Sequence, residues 1–120
     1  MHFTDTHEWI NLDGDIGTVG ITDYAQKELG DIVYIELPTI GAAVKASQEA
    51  VALESTKAAA DVYSPVSGTI VEVNNKLAEQ TELVNNAPEG EGWLFKVKLK
   101  DLQELNALMD TSTYHNKFKK

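Results

Sequence analysis

The 120-residue chain has ten Lys plus Arg against 19 Asp plus Glu, a formal charge of −9, 42% hydrophobic residues and no cysteine. The length fits one domain over 1–120, the composition is that of a soluble globular protein, and no run approaches the roughly 18 apolar residues of a transmembrane helix. An acidic surface argues against nucleic acid and either favours partners with basic patches or serves solubility alone, while the lack of thiols means that redox chemistry has to arrive on a prosthetic group. The opening Met1-His2-Phe3-Thr4-Asp5 has no targeting pattern, so a cytoplasmic location is expected.

From His7 to Ile21 the pattern predicts a β-hairpin, with Asp13-Gly14 turning between Trp9-Ile10-Asn11-Leu12 and Ile16-Gly17-Thr18-Val19. Thr22 suits the N-cap of a short helix over 23–29, and Gly30 suits its left-handed end. The β-branched run Ile32-Val33-Tyr34-Ile35-Glu36-Leu37 stops at Pro38 and reads as a core strand. Further strands are predicted at 50–53, 61–63, 69–73 and 93–99, between Gly, Pro, Ser and Asn clusters. Many short strands with regular turns point to a mainly β sandwich or barrel. After Leu99 the period lengthens. Leu102, Leu105, Leu108 and Met109 behind Asp101 predict a C-terminal helix, making 101–120 a helical extension packed on the sheets, with a second short helical stretch at 114–118. The polar pattern of Val44–Val51 echoes Leu77–Val84, which would suit two pseudo-equivalent halves, each entering a strand after a polar corner.

The informative segment is Glu54-Ser55-Thr56-Lys57-Ala58-Ala59-Ala60-Asp61-Val62-Tyr63-Ser64-Pro65-Val66-Ser67-Gly68. An apolar strand runs into a polar corner and a second strand leaves through small residues, which describes a hairpin with Lys57 near its tip. An ammonium there is hydrated and reachable by an enzyme that wraps the hairpin and acylates it. Acylation removes the charge and adds a long tether. An exposed lysine is ordinarily only a solvating charge, so its context has to decide.

That segment resembles the lipoylation motif of the glycine cleavage H-protein family. His7-Glu8-Trp9, Gly20 to Gln26, Leu29 to Val33, Leu37-Pro38, Leu83-Val84-Asn85 and Gly92-Trp93-Leu94 resemble the same family in order, so the likeness covers essentially the whole chain. It implies a lipoyl/biotinyl-type hybrid fold of two antiparallel sheets forming a flattened barrel-sandwich. (R)-lipoate would be attached to Lys57, with Glu54, Ser55, Thr56 and Ala58 forming the recognised hairpin. The sequence departs from the family pattern at Thr56, where Val is more usual, at Ala60, where Ser or Thr is common, and at Glu89, where Tyr often precedes the Gly-Trp segment.

The resemblance implies a non-enzymatic carrier that acts as a monomer. Glycine decarboxylase (P-protein) would pass an aminomethyl group from glycine to a lipoyl sulfur, and aminomethyltransferase (T-protein) would hand the one-carbon unit to tetrahydrofolate. Dihydrolipoyl dehydrogenase (L-protein) would then reoxidise the dithiol, and a lipoylating enzyme would load the arm at the outset. A cysteine-free chain suits this role, since a nearby thiolate could exchange with the carrier's disulfide. Glu8 and Asp61, with Leu29 as an apolar wall, are candidates for a cleft that shelters the loaded arm, a carboxylate binding the amine through a charge-assisted hydrogen bond. His2, His7 and His115 are scattered, so no metal site is expected. The alternatives are a lipoyl donor or relay protein in protein lipoylation, another lipoyl or biotinyl carrier domain, and a binding module without a prosthetic group. Biotin acceptors typically flank the lysine with Met, where Thr56 and Ala58 stand here.

Overall fold

A computed structural model describes residues 1–118. Among these the strands are β1 (His2–Phe3), β2 (Glu8–Asp13), β3 (Ile16–Ile21), β4 (Ile32–Glu36), β5 (Ala43–Val44), β6 (Glu49–Ser55), β7 (Ala59–Tyr63), β8 (Gly68–Val73) and β9 (Phe95–Leu99). The α-helices are α1 (Asp23–Leu29), α2 (Glu82–Asn86) and α3 (Thr111–Lys117). One sheet has the order β1-β2-β3-β9-β8-β5 and the other β4-β6-β7, with antiparallel pairing throughout. Alternate side chains meet between them: Ile10, Val19, Ile70, Phe95 and Val97 from the large sheet, and Val51, Leu53 and Val62 from the small one, are all 3% exposed or less. This is the expected mainly β sandwich of two antiparallel sheets.

The first hairpin forms one residue later than expected. Asp13 pairs with Ile16, so the loop is Gly14-Asp15 rather than Asp13-Gly14. Gly14 has φ of 65° and Asp15 stays negative, as a two-residue turn with glycine at its first position requires.

Helix α1 starts where the sequence places it. Thr22 Oγ1 accepts a hydrogen bond from the Ala25 amide at 3.2 Å, and Glu89 Oε2 accepts one from the Asp23 amide at 3.0 Å, setting a carboxylate at the positive end of the helix. Thr22 is buried, and its hydroxyl also lies 2.8 Å from the Tyr114 hydroxyl. Thr22→Ala therefore removes a cap and a buried partner together. The expected loss is about 1–2 kcal/mol, read as a lower urea midpoint at unchanged m-value.

Three expectations need correction. The run at 32–37 is an edge strand rather than a core strand: Ile32 is buried, but Val33 and Tyr34 are 56% and 50% exposed. β4 has a neighbour on one side only, and a register shift between Ile32 and Tyr34 disturbs the alternation of its side chains. The extension after Leu99 is not one α-helix. Asp101 does cap a helical stretch, but Leu102–Ala107 is 3-10 in geometry, Leu108 is extended, and the α-helix is α3, capped by Asp110. Leu105, inside the 3-10 turn, and Leu108, in the extended residue after it, pack against the core, whereas Leu102 at the start of the turn is exposed. Lys119 and Lys120, the end of the expected extension, lie outside the described residues. Finally, Val44–Val51 connects two strands whereas Leu77–Val84 leads from a 3-10 turn into α2, so the echo marks no pair of equivalent halves. Over eight residues, one polar pattern suits either period.

The two ends of the chain brace each other. Phe3 and Met109 exchange backbone hydrogen bonds at 2.8 Å, and the Phe3 ring stacks on Tyr114 with centroids 4.6 Å apart. Phe3, Trp9 and Tyr114 form a small second core.

Candidate functional site

Lys57 lies at the bend between β6 and β7, beyond the last paired residues Glu54 and Ala59, and is exposed. Ser55 shapes this bend. Its hydroxyl accepts from the amides of Lys57 and Ala58 at 3.1 and 3.0 Å and faces the Ala58 carbonyl at 3.1 Å, while its own amide donates to that carbonyl at 2.8 Å. Such side-chain-to-backbone bonds fix a turn without external packing. The Thr56 amide donates to the Asp31 carbonyl at 3.0 Å, tying the tip to the connection between α1 and β4. Because this tie is made by the main chain, the unusual Thr56 side chain leaves it untouched. Glu54, Thr56 and Ala58 are exposed and Ser55 is half-buried.

Gly30 and Asn85 belong to the same neighbourhood, although sequence reasoning gave neither a role at the site. Gly30 has φ of 82°, and a Cβ added there would stand 3.3 Å from Cε of Lys57 and 3.7 Å from Nζ. The lysine stem thus lies over a glycine at the C-terminal end of α1, where the helix dipole favours a cation. Asn85 bonds to Gly30, Ile32 and Gln26. Its place in the Leu83-Val84-Asn85 segment was the only signal available.

Glu8 is 2% exposed. Its Oε1 accepts from the hydroxyls of Thr4 and Thr6, each at 2.5 Å, and its Oε2 accepts from the Tyr63 amide at 3.2 Å. Among the described residues no cation pairs with it. Burial raises its pKa above the usual glutamate range, against the opposing pull of the Thr4, Thr6 and Tyr63 hydrogen bonds. The turn carrying these hydroxyls closes with His7 at φ of 72°, a backbone that few residues other than glycine adopt, and Nδ1 of His7 lies 2.7 Å from the Tyr114 hydroxyl. Glu8 lines a pocket with Thr4, Thr6, Ser47, Tyr63 and Leu108. Neither Leu29 nor Asp61 lines that pocket. Leu29 is half-buried against the main core beside Gly30, and Asp61 is exposed on β7 opposite Ala52. β7 links the two regions, with Lys57 just before its start and Tyr63 at its end. Among the described residues no group of three or more His, Cys, Asp or Glu side chains could hold a metal ion, and no helix is long and apolar enough to cross a membrane.

A lysine offered at a strand-to-strand bend of such a sandwich puts the molecule in the class of lipoyl-type carrier folds. The relationship runs deeper than fold, because residues 1–120 match the family model described as glycine cleavage H-protein, and the chain belongs to that family. It is 53% identical to the glycine cleavage system H protein of Thermotoga maritima over 112 residues, 93% of this chain and 90% of that one. It is 50% identical over 113 residues to a probable glycine cleavage system H protein 1 of Sulfolobus acidocaldarius, covering 94% and 82%. The crystal structure of a glycine cleavage system H protein from Mycobacterium marinum superposes with a TM-score of 0.88 at 36% identity, covering 97% of this chain and 94% of that one.

Proposed function

We propose that Lys57 carries (R)-lipoate in amide linkage and that the chain is a non-enzymatic carrier of the glycine cleavage system, working in the cytoplasm. The observation that carries this reading is the exposed Lys57 amine on a bend stiffened from within by Ser55. The residues present fit the group: small neighbours leave the amine accessible, and Gly30 leaves room for the stem beneath it. When attached, lipoate supplies a disulfide able to accept an aminomethyl group and electrons.

The chain's own contribution is to present, shelter and release. Ser55 and the Asp31 carbonyl fix the bend that a lipoylating enzyme grips, and Glu54, Thr56 and Ala58 form its outer surface. Glu8, a buried carboxylate without a cationic partner among the described residues, is suited to hold a protonated amine, its orientation set by Thr4, Thr6 and the Tyr63 amide. Asp61, on the strand between the two regions, offers an exposed second carboxylate, and Leu29 is apolar surface next to the lysine seat. The enzymes served are glycine decarboxylase, aminomethyltransferase and dihydrolipoyl dehydrogenase, and the charge of −9 suits docking to any basic patch they present.

Intact-mass measurement after expression with lipoate and a lipoylating enzyme tests the attachment. The expected product carries one lipoyl group on the peptide containing Lys57. Since the chain has no cysteine, every thiol titrated after reduction comes from the attached ring. An unmodified chain, or a group on another lysine, would overturn the proposal.

A further inference from the structure

The main-chain bend that ties down the tip of the β6–β7 hairpin is itself bonded by a side chain from α2. Asn85, half-buried on α2, donates from Nδ2 to the Gly30 carbonyl at 2.8 Å and to Gln26 Oε1 at 3.1 Å, and its Oδ1 accepts from the Ile32 amide at 2.9 Å. A single carboxamide therefore straddles Asp31, bonding to the backbone before and after it. Both of its functional groups are used, which fixes the amide's orientation. The Asp31 carbonyl, held between those two contacts, accepts from Thr56. The Lys57 stem lies against Gly30. Asn85 thus reaches the lysine by two routes, through the Thr56 amide and through the glycine seat.

We propose that Asn85 is a positioning residue for Lys57, fixing the 30–32 bend as the platform that sets where the amine stands when an acylating enzyme engages the hairpin. The proposal rests on Lys57 being the lipoyl acceptor. Acyl transfer needs the nucleophilic nitrogen within near-attack distance of the activated carboxyl carbon, and displacements of about 1 Å can cost roughly a hundredfold in rate. Ser55 stiffens the bend internally but does not place it relative to the rest of the sandwich. The β4–β6 ladder carries the hairpin, and its last contacts toward the tip are the pairing of Ile32 with Ser55 and the Thr56–Asp31 bond, made by Ile32, which Asn85 bonds, and by Asp31, which lies between the two residues that Asn85 bonds. Because Asn85 sits behind the presented surface, its loss should lower the productive fraction of encounters and leave docking unchanged.

The test uses the full-length apo chain with Asn85→Ala and Asn85→Asp. Asn85→Asp keeps the shape and the acceptor for the Ile32 amide, but turns a carboxylate toward the Gly30 and Gln26 oxygens, and it serves as the folded variant should alanine disrupt α2. Steady-state lipoylation is followed by mass, and amide hydrogen exchange is compared at Ile32 and Thr56 against Ile70 and Val97 in the large sheet. The expected result is a kcat lower by about tenfold or more with KM within about twofold, since the defect is one of orientation. Exchange should quicken at Ile32 and Thr56 alone for Asn85→Ala, and at Thr56 for Asn85→Asp. A kcat within about twofold of wild type in a folded variant, or protection lost equally at Ile70 and Val97, overturns the assignment. A wild-type chain that takes no lipoyl group at Lys57 sinks the acceptor reading instead, and the exchange pattern then decides by itself whether Asn85 holds the tip.

Discussion

Lys57→Arg is expected to abolish lipoylation and every carrier activity that depends on it while leaving the fold unchanged. The side chain is exposed, so the substitution disturbs no packing. A guanidinium keeps the positive charge over the end of α1, but it stays protonated and offers no nucleophilic amine for acyl transfer. Intact mass should show no lipoyl increment, and glycine-dependent carbon dioxide exchange with glycine decarboxylase should fall to background. Thermal unfolding should match wild type. Exchange that persists in Lys57→Arg would end the carrier interpretation, whatever the fold.

Glu8→Ala is expected to shorten the lifetime of the glycine-derived cargo on the loaded carrier by about 10- to 100-fold, the loss of one charge-assisted hydrogen bond worth roughly 1.5–3 kcal/mol. The release of ammonia and formaldehyde from loaded carrier in the absence of aminomethyltransferase measures it directly. In wild type the protection has a pH dependence of known sign. Only the ionised carboxylate holds a protonated amine, so protection should weaken as Glu8 is protonated at falling pH, and because the bound cation favours the charged form, this happens below the raised pKa that burial gives Glu8 in the unloaded chain. Conformational stability should run the other way. A carboxyl whose folded pKa is raised stabilises the fold while protonated, and that contribution disappears as pH rises through the folded value. Glu8→Gln, which cannot titrate, should therefore gain stability relative to wild type over the same interval. A lifetime unchanged in Glu8→Ala would show that the pocket serves packing alone.

The elements read correctly from sequence were those whose signals are local. Thr22 and Gly30 bracket α1 because a hydroxyl cap and a left-handed glycine act within one turn of the helix. The hairpin bearing Lys57 was equally legible, since Ser55 closes it through bonds inside the loop. What stayed hidden depends on neighbours distant in the chain. The apolar run of β4 says nothing about which side lacks a strand, so Val33 and Tyr34 read as core. The leucine spacing after Asp101 fits a 3-10 turn as well as an α-helix until Phe3 claims Met109. Asn85 acts on residues 53 or more positions away, a relationship no periodicity encodes. Glu8 is a candidate on sequence alone, but its three donors come from a strained turn and from β7, and only the folded chain brings them together.

Phe3, His7 and Tyr114 join the start of the chain to its last helix, and the loop they pin supplies both threonine donors to Glu8. A protein cut back ahead of Thr111 would accordingly lose more than a tail. It would unseat the N-terminal segment and slacken the threonine loop, so a defect at the amine-holding carboxylate could originate in a truncation made more than a hundred residues downstream. For engineered fusions, residues 111–118 belong to the working part of the molecule.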